Sequence, residues 1–426
     1  MKDIKVRPNE KDIYVWNIAG SIANALLSVV ALMIVTRTLN DEQADIFSIA
    51  WSIGQLMATV GTFQIRMYQA TDVTGVFKFY QYFIFRWITI LVMLISSYIY
   101  IEIRGYFGKK AIVVWLICVF RAVDSLADVY EGWFQQKERL DLAGKALTYR
   151  VVIAVFGFAL ILYLTRDIVL SCFFLVIIYV ICFLCYDIRY YYRVDDLCEK
   201  NVEKIKGFEW ILHITKEGLP LFINAFLIML VMNAPKMVLD MFIDQGRMEK
   251  GLQTIFNIIF MPASVLNLVY IVFRPLITKM AFMWNLGKPK ELIKILFRIV
   301  ICLCGIGGVL LLGSALVGIP ILSFVYAIDL EEYKIELLII IFGGCIYTFA
   351  AVLDNVLIVI RQQYILVLAY AITYVYIQFA SQVIIGKEGI RGAAISYASA
   401  MIVLLIIMAI MFGVKFSRVY RENGRG

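Results

Sequence analysis

The chain has 426 residues, of which 62% are hydrophobic and only 17% are charged, with a net charge of +8. Its mean hydropathy is +0.85. Soluble globular proteins carry about 25% charged residues, so this composition excludes an ordinary soluble fold. Apolar runs of about 20 residues recur along the chain, and each is long enough to cross the roughly 30 Å hydrocarbon core as a helix. Because backbone groups cannot remain unpaired in lipid, we predict an all-α polytopic membrane protein.

Twelve transmembrane helices are predicted. They lie near residues 14–36, 46–68, 79–102, 111–134, 146–165, 167–188, 213–236, 252–273, 295–318, 335–360, 363–384 and 391–414. A linker of residues 191–210 separates an N-terminal lobe, 1–190, from a C-terminal lobe, 211–426. In the linker, Val194, Leu197, Val202, Ile205 and Phe208 recur at roughly helical spacing. It is either an amphipathic helix on the cytoplasmic membrane surface or a solvated charged segment.

Lysine and arginine are concentrated in alternate loops and in both tails. Because basic residues accumulate on the cytoplasmic side of membrane proteins, both termini are predicted to be cytoplasmic. This bias accounts for the net charge, so the sequence indicates no nucleic-acid partner; the partners that it does indicate are membrane lipids.

Cysteine and histidine usage gives no sign of a disulfide or a metal site. All eight cysteines fall in predicted spans or in an inner loop, which does not indicate a disulfide framework. The only histidine, His213, has no nearby cysteine with which to form a zinc site. We therefore predict no metal and no cofactor.

The two halves of the sequence show traces of a repeat. SIANALL in the first span aligns with LFINAFL in the seventh, so that Asn24-Ala25 matches Asn224-Ala225. In the same register Arg37 falls one residue from the counterpart of Lys236. Six and six spans in the same orientation are the parallel repeat of some transporter folds.

Several predicted spans carry a polar face, which contact with lipid alone does not require. The first span has Asn17, Ser21, Asn24 and Ser28. The second has Ser48, Ser52, Gln55, Thr59, Thr62, Arg66 and Gln69. The seventh and eighth add Asn224, Asn257 and Asn267. Spacings of three and four place side chains on one helical face, so these residues are predicted to line a polar cavity.

The fourth span contains the segment FRAVDSLADVYEGWFQQ, in which Arg121, Asp124, Asp128 and Glu131 form one helical stripe. A single charge at the bilayer centre costs roughly 2.5–3.5 kcal/mol. We therefore expect the stripe to pair its charges, Arg121 with Asp124 or Asp128, and to face water.

The intramembrane charges predict a site for an anion such as phosphate, since the guanidinium group can donate two hydrogen bonds to phosphate oxygens. The basic candidates are Arg66, Arg86, Arg121, Arg274, Lys236 and Arg37. The carboxylates Asp124, Asp128 and Glu217 are available to bind a coupling proton or Na⁺. The alternative interpretation is a structural ion-pair network, and for Arg37 and Lys236 it is snorkelling to the headgroups.

Two other features of the later spans are interpreted from sequence. Pro220 and Pro235 bracket the polar part of the seventh span and are predicted to form a hinge, because proline permits a kink or break. Asp354 and Arg361, seven residues apart on the tenth span, are interpreted as a local structural feature.

Several blocks of the sequence resemble the Wzx-type flippases of oligosaccharide-lipids. The blocks are WNIAGSIANALLSVVALMIVTRTLNDEQADIFSIAWSIGQL, QIRMYQATD, RAVDSLADVYEGWFQQKERLDLAGKAL, EGLPLFINAFLIMLVMNAPK and FRPLITK. They cover most of the first eight spans, whereas the later spans match only in hydrophobicity. These flippases belong to an exporter superfamily that also contains multidrug antiporters and the lipid II flippase.

The resemblance implies two six-helix lobes around a central cavity that opens alternately to either side. It implies transport of undecaprenyl-pyrophosphate-linked repeat units from the inner to the outer leaflet of a bacterial plasma membrane. Polysaccharide polymerases and glycosyltransferases are implied as partners. Arg66 and Arg121 lie inside matching blocks and are the first candidates to bind pyrophosphate, whereas Arg86 lies between blocks.

Two other functional classes were weighed. A multidrug antiporter of the same superfamily would favour a cavity with net negative charge and aromatic walls, which the three intramembrane arginines argue against. A membrane glycosyltransferase or polymerase usually places its catalytic groups on sizeable outer loops, and here the predicted outer loops are short. The sequence therefore predicts a transporter that is not an enzyme.

Overall fold

The computed structural model describes residues 9–72, 76–194, 209–271, 274–360 and 364–423, and these residues are almost entirely helical. We number the helices α1 to α13. Their bounds are Glu10–Thr38 (α1), Asp41–Thr62 (α2), Ile65–Thr71 (α3), Phe79–Arg104 (α4), Gly108–Gln136 (α5), Leu140–Thr165 (α6), Ile168–Tyr191 (α7), Glu209–Asp244 (α8), Leu252–Ile271 (α9), Arg274–Asn285 (α10), Pro289–Tyr326 (α11), Glu331–Val359 (α12) and Tyr364–Asn423 (α13). The predicted linker lies, over residues 195–208, outside the described part.

Within the residues that the structure describes, eight helices are long and apolar enough to cross a membrane: α1, α4, α6, α7, α8, α11, α12 and α13. The all-α membrane fold is thereby confirmed, whereas the count of twelve spans and the cytoplasmic termini stay predictions. Of the remaining helices, α2 has 22 residues and α5 has 29, so both are long enough to cross a membrane. They fall short in apolar character because they carry the polar faces found in the sequence.

The last helix consists of two helices that meet at Gly389, whose φ of 59° interrupts the helical backbone. Only glycine adopts this conformation without strain. A side chain at Gly392 would collide with the carbonyl of Ile384, so the chain turns tightly here. The break falls between the predicted spans 363–384 and 391–414.

Local sequence explains where several helices begin. The side chain of Asn40 accepts a hydrogen bond of 3.1 Å from the Gln43 amide at the start of α2. Asp167 accepts bonds from the amides of Val169 and Leu170 at the start of α7. Asparagine and aspartate are favoured at this position because they satisfy amides that lack a helical partner.

The second predicted span is wrong at its end. It was expected to run to residue 68, but α2 ends at Thr62. Phe63 and Gln64 adopt left-handed backbone angles, with φ of 47° and 52°, and the separate short helix α3 follows. The predicted polar face is therefore broken, and Arg66 belongs to α3.

The first of two compact units spans Met1–Phe226. In it α1 packs along α6, α2 packs against α4 and α5, and α7 packs against α5 and α6. The crossing of α1 and α6 depends on glycine. A side chain at Gly144 would collide with the backbone of Trp16, and one at Gly20 would lie 3.0 Å from the Gly144 carbonyl oxygen.

The first half of α8 belongs to this unit by packing. The ring of Phe222 stacks on Phe63 with 4.6 Å between centroids, and His213 packs edge-on against Phe77 at 5.4 Å. The unit boundary at Phe226 thus falls inside α8, between Pro220 and Pro235. The predicted lobe boundaries, 1–190 and 211–426, stay a prediction.

The second unit spans Leu227–Gly426. Its α12 packs against α13, α9, α11 and α10. One hydrophobic core joins α12 to both parts of α13 and contains Ala350, Leu357, Ile360, Leu366, Ala369, Tyr370, Leu404 and Met408. Both units expose large apolar side chains, such as Leu91 and Phe156 in the first and Leu312 and Phe379 in the second, as expected of surfaces in contact with lipid.

The glycine crossing gives a stability prediction. Gly144→Ala should lower the free energy of unfolding by about 1–3 kcal/mol, because the new methyl group has no room against backbone. The matched change Gly308→Ala, at a position with open space within 4 Å, should be neutral or stabilise α11 by up to about 1 kcal/mol. Thermal denaturation of the purified protein in detergent measures both. Equal melting temperatures for the two variants would contradict the packing.

Candidate functional site

The charged stripe of α5 faces the interior of the N-terminal unit. Around α5 pack α2, α3, α4, α6 and α7, so these side chains are surrounded by protein and not by lipid. Arg121 and Glu131 are buried, and Asp124 and Asp128 are partly accessible. A helix with four such charges requires partners on its neighbours, and the structure shows them.

Asp128 is shared by two arginines. Nη1 of Arg66 on α3 lies 3.1 Å from Asp128 Oδ1, and Nη2 of Arg86 on α4 lies 2.8 Å from Asp128 Oδ2. Arg86 also donates a 2.8 Å hydrogen bond to the carbonyl oxygen of Gly61 at the end of α2. One carboxylate thereby joins three other helices to α5.

Glu131, one turn further along α5, also binds Arg66 and adds a third arginine, Arg150. Its Oε2 atom is 2.7 Å from Arg66 Nη1, and its Oε1 atom is 2.6 Å from Nη2 of Arg150 on α6. Arg150 in turn contacts Asp187 on α7 at 2.7 Å. Because Arg150 and Asp187 are fully buried, these pairs connect α5, α6 and α7 inside the unit.

A further pair lies within α5. Arg121 Nη1 donates to Asp124 Oδ2 at 3.2 Å, as the sequence predicted. The hydroxyl of Tyr179 on α7 donates a 2.6 Å bond to Asp124 Oδ1. The guanidinium of Arg121 also lies over the ring of Trp51 at 4.8 Å, a favourable cation–π contact.

Together these residues form what we call the arginine–carboxylate network. Its members are Arg66, Arg86, Arg121, Arg150, Asp124, Asp128, Glu131 and Asp187. The four arginines balance the four carboxylates, so the network has no net charge when all are ionised. Neutrality makes so many charges tolerable inside an apolar unit.

The network has a buried part and an accessible edge. The side chains of Arg86, Arg150 and Asp187 are 0–1% exposed. By contrast, the side chain of Arg66 is 32% exposed and that of Asp128 is 20% exposed. The buried part holds helices together, and the accessible edge can exchange its partners with a ligand.

Arg121 retains hydrogen-bonding capacity. Its Nε atom is buried and has no hydrogen-bond partner, although Nη1 is bound to Asp124. An unmade hydrogen bond of a buried charged group is costly. An anion that reached Arg121 could use this donor, and it would bind a guanidinium that the Trp51 ring already holds in place.

The structure thus brings together five of the predicted site residues, Arg66, Arg86, Arg121, Asp124 and Asp128. It leaves Glu217 apart from the described network, because the side chain of Glu217 is 44% exposed and lies 4.0 Å from Nε2 of His213. Arg37 lies in the last turn of α1. The side chains of Arg274 and Asn267 lie outside the described part.

Lys236 lies in the C-terminal unit on the second half of α8. Its Nζ atom is 4.3 Å from the ring centre of Phe260 on α9, and the side chain is buried. No carboxylate of its own unit forms an ion pair with it among the described residues. A buried amine without a counter-ion is an unusual feature, and an anion is its natural partner.

Some polar side chains on the other helices form hydrogen bonds with the backbone of their own helix. Thr59 and Thr62 donate to the carbonyl oxygens of Leu56 and Ala58 in α2, and Ser21 donates to Asn17 in α1. The predicted cavity-lining residues differ in exposure. Asn17, Ser21 and Asn24 are exposed, Ser28, Gln55, Thr62 and Asn224 are half-buried, and Thr59 and Asn257 are buried.

Asn224 Oδ1 is buried without a hydrogen-bond partner. The helix α8 continues through both Pro220 and Pro235. The cavity and the hinge stay predictions.

Sequence reasoning missed Arg150, Asp187 and Tyr179. Each lies in a span that contains no repeating polar stripe, so helical spacing does not reveal it. One signal was available: Arg150 stands inside the apolar run of the fifth predicted span, where a charge marks either function or a buried partner.

Removal of Arg150 tests the structural part of the network. Arg150→Met should reduce the free energy of unfolding by about 3–5 kcal/mol, because it leaves Asp187 buried without its counter-ion and Glu131 with Arg66 alone. The matched control Lys294→Ala breaks an exposed pair with Glu291 and should cost at most about 1 kcal/mol. Denaturation in detergent measures both changes.

The double change Arg150→Met with Asp187→Leu should recover part of the loss, because it replaces a buried pair by apolar side chains. A double variant less stable than Arg150→Met would contradict the assigned pairing.

The sequence matches no known protein-family model, and no curated protein matches it. Solved structures do resemble it. An inward-facing multidrug resistance transporter of the MATE family, in the MOP superfamily, has a TM-score of 0.72 and 13% identity, covering 93% of this chain and 96% of its own. The lipid II flippase MurJ, in an inward closed conformation, has a TM-score of 0.64 and 14% identity, covering 93% and 87%.

A MOP superfamily transporter from Pyrococcus furiosus, described by the reverse polarity of its binding pocket, has a TM-score of 0.59 and 14% identity, covering 98% of both chains. At these identities the likeness concerns the fold. The chain therefore has the helical fold of MOP superfamily transporters, among which are multidrug transporters and a lipid flippase.

Proposed function

We propose that this protein is a Wzx-type flippase. It moves undecaprenyl-pyrophosphate-linked oligosaccharide repeat units from the inner to the outer leaflet of a bacterial plasma membrane, by alternating access, for export of a surface polysaccharide. The fold that it shares with a lipid flippase supports this proposal, as do the resemblances in its sequence. The observation that carries it is the guanidinium pair of Arg121 and Arg66.

These two arginines offer donors at neighbouring positions. Their carboxylate partners Asp124 and Asp128 are four residues apart on α5, so they are neighbours on one helical face. Arg66 is accessible, and Arg121 has an unused Nε donor. A pyrophosphate can replace carboxylate oxygens on both groups, since phosphate is as good an acceptor from arginine as a carboxylate.

Exchange of partners explains how a neutral network can still bind an anion. When phosphate oxygens take the place of Asp128 on Arg66, Asp128 keeps its contact with Arg86. Arg66 then loses one partner, but Asp128 still has an arginine beside it. The buried pairs around Arg150 are not required to move, so the unit can keep its packing while the accessible edge changes ligands.

A multidrug antiporter is the alternative function. A cationic drug needs a carboxylate with oxygens to spare, or an aromatic face. In the network Asp124, Asp128 and Glu131 are each bound to at least one arginine, which disfavours a cation at this edge.

The test is transbilayer movement of a labelled undecaprenyl-pyrophosphate oligosaccharide in vesicles that contain the purified protein. Arg66→Lys and Arg121→Lys keep the charge but lose the planar fork. We expect each to slow movement by roughly tenfold or more, because a hydrogen bond to a charged group contributes about 1.5–3 kcal/mol. The control Arg247→Lys, at an exposed arginine over Phe242, should leave the rate unchanged.

Equal rates for all three variants would reduce the network to a structural role, provided that their melting temperatures match. No movement by the wild type across several oligosaccharides, together with efflux of cationic dyes from cells, would support the antiporter instead.

A further inference from the structure

Lys236, on the second half of α8, is a buried cation whose own unit supplies no counter-ion. The residue is 9% exposed, and its Nζ atom lies 4.3 Å from the ring centre of Phe260 on α9. Asp240 stands one turn later on α8, yet no carboxylate in the described part of the unit pairs with the ammonium group. An aromatic ring compensates only part of a buried positive charge. An anion that entered the site would compensate the rest.

A second buried group without a partner lies on the same face of α9. Gln253 is 0% exposed, and neither Oε1 nor Nε2 of its side chain has a hydrogen-bond partner among the described residues. It stands seven residues before Phe260, so the two side chains share one helical face. Two turns of helix separate them by about 10 Å along the axis. A buried amide that makes no hydrogen bond is costly, so this side chain also favours a ligand.

The two groups require different chemistry from that ligand. The ammonium group of Lys236 only donates hydrogen bonds, so its partner must be a negatively charged acceptor. The amide of Gln253 both donates and accepts, so its partner must do the same. Hydroxyl groups do both, whereas carboxylate and phosphate oxygens only accept. The fitting ligand therefore has an anionic group and hydroxyl groups about 10 Å apart, roughly the length of two linked sugar rings.

The single ammonium group also limits the charge of the anion. A carboxylate carries one negative charge and forms a neutral pair with Lys236. A pyrophosphate carries more than one, so it would leave an excess of negative charge in a buried place, which is costly. Lys236 was a candidate for pyrophosphate from sequence, but its surroundings suit a carboxylate better.

We propose that Lys236 and Gln253 form a subsite for an acidic sugar. The carboxylate of a hexuronic acid binds Lys236, and hydroxyl groups of the adjacent sugar bind Gln253. This inference rests on the proposed function and names its substrate class, repeat units that contain an acidic sugar. Because both side chains are buried, the sugar enters only when α8 and α9 move apart. Once enclosed, its hydrogen bonds are strengthened by the apolar surroundings.

The first test compares two lipid-linked substrates that differ in one group. Undecaprenyl-pyrophosphate disaccharides that end in glucuronic acid or in glucose differ by a carboxylate in place of a hydroxymethyl group. In vesicles that contain the wild type, we expect the acidic substrate to move roughly tenfold faster, the effect of one hydrogen bond to a charged group. Lys236→Met should reduce its rate to that of the glucose substrate, which should not change. The control Lys216→Met, at an exposed lysine of the same helix, should alter neither rate.

Melting temperatures separate a binding role from a structural one. Lys236→Met and Gln253→Leu each remove a buried polar group that has no partner in the described residues. Each should therefore preserve or raise the melting temperature of the ligand-free protein. Gln253→Leu should nevertheless slow both substrates by a similar factor, because both offer it hydroxyl groups. A lower melting temperature in either variant would reveal a structural partner and overturn the subsite.

The free glucuronosyl disaccharide tests binding without transport. It should raise the melting temperature of the wild type more than its neutral counterpart does, and it should not stabilise Lys236→Met. Equal stabilisation by sodium chloride or sodium acetate at the same ionic strength would overturn the sugar in favour of a small anion.

The subsite and the proposed function can fail separately. If the acidic and neutral substrates move at equal rates in the wild type, the subsite fails and the proposed function stands. If neither substrate moves but the free glucuronosyl disaccharide stabilises the wild type as expected, the subsite stands and the proposed function fails.

Discussion

The N-terminal unit depends on the requirement that a charge inside a membrane protein has an opposite charge beside it. The fourth-span helix α5 presents Asp124, Asp128 and Glu131 on one face, and arginines from α3, α4 and α6 meet that face. These pairs determine which way each of the helices must face, because any rotation would expose a charge to apolar surroundings. The packing of the unit around α5 follows from this requirement, and the apolar contacts of the outer faces then complete it.

The same pairs limit what the unit can bind. With equal numbers of arginines and carboxylates, it offers neither a free positive charge nor a free negative one, so a ligand binds only by replacing a partner. The pair most suited to exchange is Arg66 with Asp128, since Arg66 is accessible and Asp128 has Arg86 as a second partner. An anion can enter by this exchange, whereas a cation at Asp128 would have to displace the guanidinium of Arg66, which also binds Glu131. We therefore attribute the proposed preference for an anion to the connectivity of the network.

The sequence predicted the helical membrane fold, the stripe on α5 and the pairing of Arg121 with Asp124 or Asp128, because hydrophobic length and helical spacing are local properties. It did not reveal that Arg150 and Asp187 complete the network, because each is a single charge whose partner lies on another helix. The break after Thr62 was missed for a different reason. Phe63 and Gln64 are not residues that usually mark a left-handed turn, and their conformation is set by tertiary packing, including the stack of Phe63 on Phe222.

The two halves share a pattern of helices but not a pattern of charges. Asn24-Ala25 and Asn224-Ala225 preserve a trace of the repeat, yet the first unit neutralises its charges internally while the second leaves Lys236 and Asp354 without a partner of opposite sign in the described residues of that unit. A neutral network can exchange one anion for another at constant charge. An isolated lysine or carboxyl group can instead be neutralised only by taking up a ligand or by gaining or losing a proton. The inferred phosphate contacts of the first unit therefore form by exchange of partners, whereas an anion that reached Lys236 would compensate a charge that has no partner of opposite sign in the described residues of its unit.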